Sequence, residues 1–393
     1  MTRVLFCVLP EKGHLNPYIG PAQALLDRGV EVVFHAPADI TDQLTAAGIE
    51  HFVGERTPPP GDTHRGPHFA AQIRDPAWLR QWIKSLLVDA AEDAIAPLRR
   101  VIRDVAPDVV AIDPMVYPAA IASEREQIPW AAISNSLNPV LPAELDSELL
   151  RTVDWLAPAR AHLFARHGMA PAFRGCDVLS PYLTVAFTTP EFAGRVPGVQ
   201  LVGPSLPRRV RGDETSFPWD WLDPARALVY ASFGSQISYQ PTLFRRIFDA
   251  VADRPLQLVA SCAELARSGE LGPVPANVLL RPYVPQLALL RRSSVFVNHG
   301  GANSVMEAIA CGVPMLLVPL CNDQFHQVHF IERSGIGGML GPDPWLSIAP
   351  LLGEGPVRDR VRSISASYQR DGAGETADLL IRLAAGSHPA PGS

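Results

Sequence analysis

Short runs that are apolar at nearly every position recur along this chain, each followed by a helical pattern, and that rhythm most limits what it can fold into. Arg3–Leu9 is the first run; Val30–Phe34, Asp108–Asp113 and Trp130–Ser134 continue it. A strand without polar alternation is buried on both faces, the condition of a parallel strand covered by helices. After a break, Ala227–Ser232, Leu256–Ala260, Val278–Leu280, Val295–Val297 and Met315–Val318 form a second series. The expectation is an α/β protein with two doubly wound parallel sheets, whose ligands gather at the carboxyl ends of the strands. No Gly-x-Gly-x-x-Gly follows the first strand, which argues against a dinucleotide fold.

Between the two series, Leu201–Glu214 loses periodicity and gains glycine, proline and charge. A chain of 393 residues is long for one domain, and this stretch is the natural boundary. The expected division is a domain over 1–206, a linker over 207–217 and a domain over 218–373. A last helix, Gly374–Ala385, then leads into a flexible Pro/Gly/Ser tail reaching residue 393.

The bulk numbers exclude several classes. Thirty-four basic against 40 acidic residues give a net charge of −6, so no basic surface argues for nucleic acid. Five cysteines without CxxC spacing read as reduced thiols of a cytoplasmic protein. The N-terminal apolar run is too short for a secretory signal, and no run approaches the ~20 residues of a membrane span. The chain is expected to act without integral membrane association, as a monomer or homodimer.

The most informative stretch is Tyr283–Gln324. Within it an apolar strand runs into His299-Gly300-Gly301-Ala302-Asn303-Ser304-Val305-Met306-Glu307. Strand, glycine-rich turn and helix N-terminus together make an anion site, because orphan backbone N–H groups and the helix dipole both favour negative charge. His299 and Ser304 flank the turn with donors suited to phosphate. Glu307, one helical turn on, suits the hydroxyls of a ribose. The competing reading is structural: Ser304-x-x-Glu307 also fits a capping box that needs no ligand.

Two residues of the first half carry possible chemistry. His14 lies in a loop, Pro10–Pro17, that precedes a helix starting at Tyr18, and Asp113 ends a later strand of the same sheet. A histidine whose second nitrogen is held by a carboxylate can act as general base on a substrate hydroxyl. Read as structure alone, His14 is a loop histidine bonded to backbone and Asp113 a helix cap before Pro114. His326 and His329 share a helix face at i, i+3 but have no third partner, so no metal site is expected.

Residues 54–90 and 135–182 fit the sheet rhythm poorly. The first opens with Pro58-Pro59-Pro60-Gly61 and carries Phe69, Trp78 and Trp82; the second carries Trp155 and Phe164. Aromatic residues on such insertions either line an apolar pocket or simply pack their helices down.

The ordered run Arg281-Pro-Tyr283-Val284-Pro-Gln286, His299 to Glu307, and Gly312-Val-Pro314 to Asp323-Gln324 resembles the donor signature of family 1 glycosyltransferases. Those nucleotide-sugar-dependent enzymes glycosylate natural products. Gly13-His14-Leu-Asn-Pro17 is similar to the family's N-terminal motif, so the resemblance reaches both halves of the chain. It implies the GT-B fold, two Rossmann-like domains facing across a cleft, with the final helix packing back on the first. By the same resemblance, 1–206 binds the acceptor and 218–373 the nucleotide sugar. His14 is the catalytic base and Asp113 its orienting partner. The donor residues implied are Gly234, Ser235, Tyr283, Val284, Gln286, His299, Gly301, Asn303, Ser304, Glu307, Asp323 and Gln324. Acceptor contacts are sought in Phe69, Trp78, Trp82, Met115, Asn135 and Trp155. Ala302 stands where plant members carry tryptophan, as in bacterial members. The implied partners are a UDP- or dTDP-hexose and a small-molecule acceptor, with no further cofactor or metal.

Overall fold

The structure, a computed structural model, describes residues 1–54 and 66–386. The Pro58–Gly61 stretch and the tail from Ser387 lie outside the described residues. Those described fall into two compact units, one of residues 1–54, 75–212 and 370–386, the other of 66–74 and 213–369.

The first unit is built on β1 (Arg3–Cys7), β2 (Glu31–His35), β3 (His51–Phe52), β4 (Val109–Ile112) and β5 (Trp130–Ser134). A small antiparallel hairpin, β6 (Phe173–Arg174) and β7 (Asp177–Val178), precedes β8 (Leu183–Ala186) and β9 (Gln200–Leu201). The main sheet is wholly parallel in the order β3-β2-β1-β4-β5-β8-β9. Every residue of β4, β5 and β8 is buried, as unbroken apolar strands require.

The second unit repeats the plan with β10 (Ala227–Ser232), β11 (Leu256–Ser261), β12 (Val278–Arg281), β13 (Val295–Asn298), β14 (Met315–Leu317) and β15 (Gly337–Met339). All pairs are parallel in the order β12-β11-β10-β13-β14-β15. Tyr230 and Phe296 are register partners on β10 and β13, and their rings stack 4.6 Å apart. In both sheets the strand order reverses beside the first strand, between β1 and β4 and between β10 and β13. Side chains from two loops converge at such a switch point, and ligands bind there.

The sequence expectations need two corrections. The helix after β1 begins at Lys12, not Tyr18, and runs to Asp27 with Pro17 and Pro21 inside it. His14 is thus in a helix's first turn rather than a loop. Proline lacks an N–H, so each leaves the carbonyl four residues earlier without its helical donor. Gly13 O accepts instead from Asn135 Nδ2 at 3.3 Å, and Pro17 O from Ser205 Oγ at 2.5 Å. Substitute donors from other loops offset what the prolines remove.

The last helix is Gly372–Ala384, started two residues early by Asp371, whose carboxylate accepts from Gly374 N. It packs along the Lys12–Asp27 helix, where Arg28 pairs with Asp378 at 2.8 Å. No described helix is long and apolar enough to cross a membrane.

Candidate active site

In the first unit the switch point brings β1 and β4 side by side, with Cys7 opposite Ile112. The chain leaving β1 reaches His14 and the chain leaving β4 reaches Asp113. His14 Nδ1 lies 2.6 Å from Asp113 Oδ2, and the aspartate is wholly buried while a quarter of the histidine side chain is accessible. A carboxylate only accepts, so Nδ1 carries the hydrogen and the lone pair is left on Nε2. Asp113 is held in turn by Met115 N, which donates to its other oxygen at 3.0 Å. Met115 therefore contributes its backbone to this pair.

Asn135, proposed from sequence for the acceptor, stands against the pair itself. Its Nδ2 is 3.0 Å from His14 Nδ1 and 3.4 Å from Asp113 Oδ2, besides the bond to Gly13 O. With Nδ1 protonated, the two amide hydrogens go to the carboxylate and the Gly13 carbonyl. His14, Asp113 and Asn135 form one hydrogen-bonded group.

In the second unit the switch point lies between Ser232 and Asn298, register partners at the ends of β10 and β13. Gly234 follows the first with φ +80°, and His299-Gly300-Gly301 follows the second, Gly300 at φ +86°. The His299 ring is wedged between the two turns. A Cβ on Gly234 would lie 2.7 Å from its Nε2, and one on Gly301 would lie 2.6 Å away. Only glycines leave room for this imidazole. Burial pushes it down to about 4, against a raising backbone contact from Ser232, so it is neutral near pH 7. Asn298 is wholly buried; its Oδ1 accepts from Gly300 N at 2.8 Å, while its Nδ2 has no partner.

The helix Ala302–Ala310 starts at Gly301 with no side-chain cap. Ser304 and Glu307 are both inside it, so the capping box does not form. Glu307 is buried and accepts from Gln286 Nε2 at 2.8 Å and Asn303 Nδ2 at 2.9 Å; Gln286 Nε2 also reaches Ser304 Oγ at 3.2 Å. Tyr230 OH donates to Gln286 Oε1 at 3.0 Å. Five residues around the helix N-terminus thus share one polar network. Tyr230 was not foreseen, since an apolar strand gives no sign that one ring carries a hydroxyl to a site.

Tyr283 is half-buried, with its hydroxyl donating to Asp213 at 2.5 Å, and Val284 next to it in sequence is buried. Gln324 Oε1 accepts from Leu320 N at 2.7 Å and Cys321 N at 3.2 Å, shaping the loop after β14. Asp323 precedes it at the start of the Gln324–Ser334 helix, half-buried. His326 is buried on that helix. Among the described residues no three His, Cys, Asp or Glu side chains are grouped to hold a metal ion.

The aromatic candidates separate. Phe69, in the second unit, is buried. Trp78 and Trp82, in the first unit, are half-buried and stacked 5.8 Å apart on the helix Pro76–Lys84, and Trp155 on Glu148–Ala165 is 44% exposed.

Two parallel sheets of this topology are the GT-B fold of glycosyltransferases. The glycosyltransferase of kitacinnamycin superposes with a TM-score of 0.76 at 24% identity, covering 97% of this chain and 98% of that one. The glycosyltransferase VinC, solved in complex with dTDP, gives 0.73 at 22% identity over 98% and 100%. Residues 213–342 match the family model described as UDP-glucoronosyl and UDP-glucosyl transferase. Along the sequence, demethyllactenocin mycarosyltransferase of Streptomyces fradiae is 29% identical over 373 residues, 87% of this chain and 76% of the relative. These likenesses indicate a glycosyltransferase similar to the bacterial natural-product enzymes.

Proposed function

We propose that this enzyme transfers a hexose from a UDP- or dTDP-sugar to a hydroxyl of a bulky apolar natural-product acceptor, inverting the anomeric centre, with His14 as general base. The observation that carries the reading is the 2.6 Å bond from His14 Nδ1 to the buried Asp113 carboxylate. It fixes the tautomer whose Nε2 can take a proton.

In the single displacement, the acceptor oxygen gives its proton to His14 Nε2 as it bonds to the anomeric carbon. The bond from that carbon to the diphosphate oxygen breaks, and the nucleoside diphosphate leaves with the electron pair. Asp113 stabilises the imidazolium that forms, and Asn135 holds both partners in place. The leaving charge faces the uncapped N–H groups of Ala302–Ala310 and the His299 imidazole, dipoles already oriented toward developing charge. Such a site does not need a divalent cation. Glu307 would accept from the ribose hydroxyls and Ser304 would donate to the diphosphate, with Gln286 beside Tyr283 near the nucleobase. The Trp78–Trp82 stack is the acceptor surface we favour, because a flat apolar molecule gains most by covering stacked rings.

The support from relatives is coarser: one is a mycarosyltransferase and one solved neighbour holds dTDP. The test pairs binding with turnover. Calorimetry with UDP, dTDP and their glucose conjugates in EDTA names the nucleotide, and no binding by any of them would remove the donor assignment. A general base contributes ~10²–10⁴-fold, so His14→Ala should bind the diphosphate normally and lose turnover by about that range. Normal turnover in that variant, or a product of retained configuration by NMR, would overturn the mechanism.

A further inference from the structure

Asn135 sits at the end of β5 on a turn, Ser134–Asn138, whose two ends are tied to one carboxylate. Ser134 Oγ donates to Asp177 Oδ2 at 2.5 Å, and Asn138 Nδ2 donates to Asp177 Oδ1 at 2.7 Å. Ser136 closes the turn between them: its N donates to Ser134 Oγ at 3.3 Å, and its Oγ accepts from Asn138 N at 3.1 Å. Asp177 belongs to the β6–β7 hairpin, which reaches the His14 group by a second route. Val178 N donates to the carbonyl of Pro114, the residue after Asp113, at 3.2 Å.

The hairpin is itself fixed. Tyr117 OH donates to Cys176 O at 2.6 Å, and Arg160 Nη1 to Gly175 O at 3.0 Å. Gly175 has φ +54°, and a Cβ there would lie 2.7 Å from Asn138 Oδ1, so the hairpin closes on Asn138 only as glycine. Asp177 is 2% exposed.

We propose that Asp177 is a positioning residue for the His14–Asp113–Asn135 group, holding the turn that presents Asn135 and changing its hydrogen-bond polarity as it gains or loses a proton. This rests on the reading of His14 as base. Burial pushes the Asp177 carboxyl up to about 7; the Ser134 and Asn138 donors pull it down, the Asp113 charge raises it and His14 lowers it. Tyr18 and Tyr117 also feel its charge, and the cations on adjoining elements, Arg160 and Arg174, are engaged by the carbonyls of Gly175 and Leu141.

Ionised, Asp177 accepts from both ends of the turn. Protonated, its Oδ2–H donates to Ser134 Oγ, and the serine hydrogen turns to the Ser136 carbonyl, 3.3 Å away. The reversal occurs one residue from Asn135. Asparagine at 177 has the shape and polarity of the protonated form, its amide donating to Ser134 and its carbonyl accepting from Asn138.

The experiment follows the His14 ring nitrogens and the Asn135 side-chain amide of the full chain by ¹⁵N NMR across pH. In the wild-type protein both should carry an inflection near 7. In Asp177→Asn that inflection is lost, and the His14 titration moves to lower pH because a neighbouring anion is gone. Ser134→Ala, which removes the relay, should shift the Asn135 amide and abolish its inflection. Spectra of either variant that overlay the wild type at every pH would overturn the proposal. If His14→Ala turned over normally while Asp177→Asn still lost the inflection, the base assignment would fall and the positioning role would stand.

Discussion

The packing of His299 between two glycines makes a quantitative prediction. At Gly301 the backbone has φ −63°, which alanine adopts freely, and the three atoms nearest its Cβ all belong to the His299 imidazole. A Cβ 2.6 Å from Nε2 cannot be accommodated without moving the ring or the turn. Overpacking of this kind costs about 1–3 kcal/mol, partly offset by the ~0.4–1 kcal/mol that alanine gains by restricting the unfolded chain. At Gly234 the same contact, 2.7 Å, is joined by φ +80°, and left-handed backbone adds about 1–2 kcal/mol for alanine. Gly234→Ala should therefore be the worse substitution. Removing the ring separates the contributions. In a His299→Ala background, Gly301→Ala should become neutral or slightly stabilising, while Gly234→Ala should keep its backbone penalty of roughly 1 kcal/mol. Urea denaturation of the two cycles, with hydrogen exchange on the β10 and β13 segments, reads both. Equal costs for Gly301→Ala with and without the imidazole would refute the reasoning, because the penalty would then not come from the ring.

Two further predictions concern charge. Glu307→Gln puts an amide where the Gln286 and Asn303 amides both donate; one must flip, and a buried mismatch costs about 1–3 kcal/mol. Diphosphate affinity should fall with stability, and an unchanged denaturation midpoint would show that the network is not needed. On acidification, His299 and His326 are both pushed down to about 4 by burial. A histidine with a depressed folded value loses stability as pH falls from its ordinary 6.5 toward 4, by at most roughly 3 kcal/mol each. Both lie in the second unit. In the first, His35 has the same sign at about 4, but Asp177, raised to about 7, has the opposite one. Its contribution is present below the ordinary carboxyl value and lost as pH rises to 7, so the two nearly cancel. Between pH 6.5 and 4 the second unit should loosen first in hydrogen exchange; earlier loosening of the first would contradict the assignment.

Nine strands were legible because unbroken apolar runs have few alternatives to burial in a parallel sheet, and each of these is found within a residue or two of its run; β3, β6, β7, β8, β9 and β15 are two to four residues long and offered no such run. His14 and Asp113 could be paired from sequence because both follow strands of one sheet. The helix start was misread because prolines at 17 and 21 signal interruption locally, whereas the donors that replace their N–H groups, Asn135 and Ser205, are far away in sequence. The same distance hid the place of Asn135 beside His14. It also left Asp177 unremarked, since a lone aspartate in a short hairpin carries no pattern. The Ser304–Glu307 spacing left the capping reading open, and the helix start decides it: a helix that starts at Ala302 takes both residues inside and leaves its N-terminus uncapped.

Those two prolines also bear on the order in which the molecule assembles. Each interior proline disfavours an isolated helix by about 3 kcal/mol, and a segment with two has little reason to form by itself. Its substitute donors arrive only when the turn after β5 and the segment around Ser205 are in place. The His14 helix should then consolidate late, after the sheet has closed around it. In a refolding time course, protection of the amides between Leu15 and Asp27 should trail that of β4 and β5, and catalytic competence should appear with the slower event.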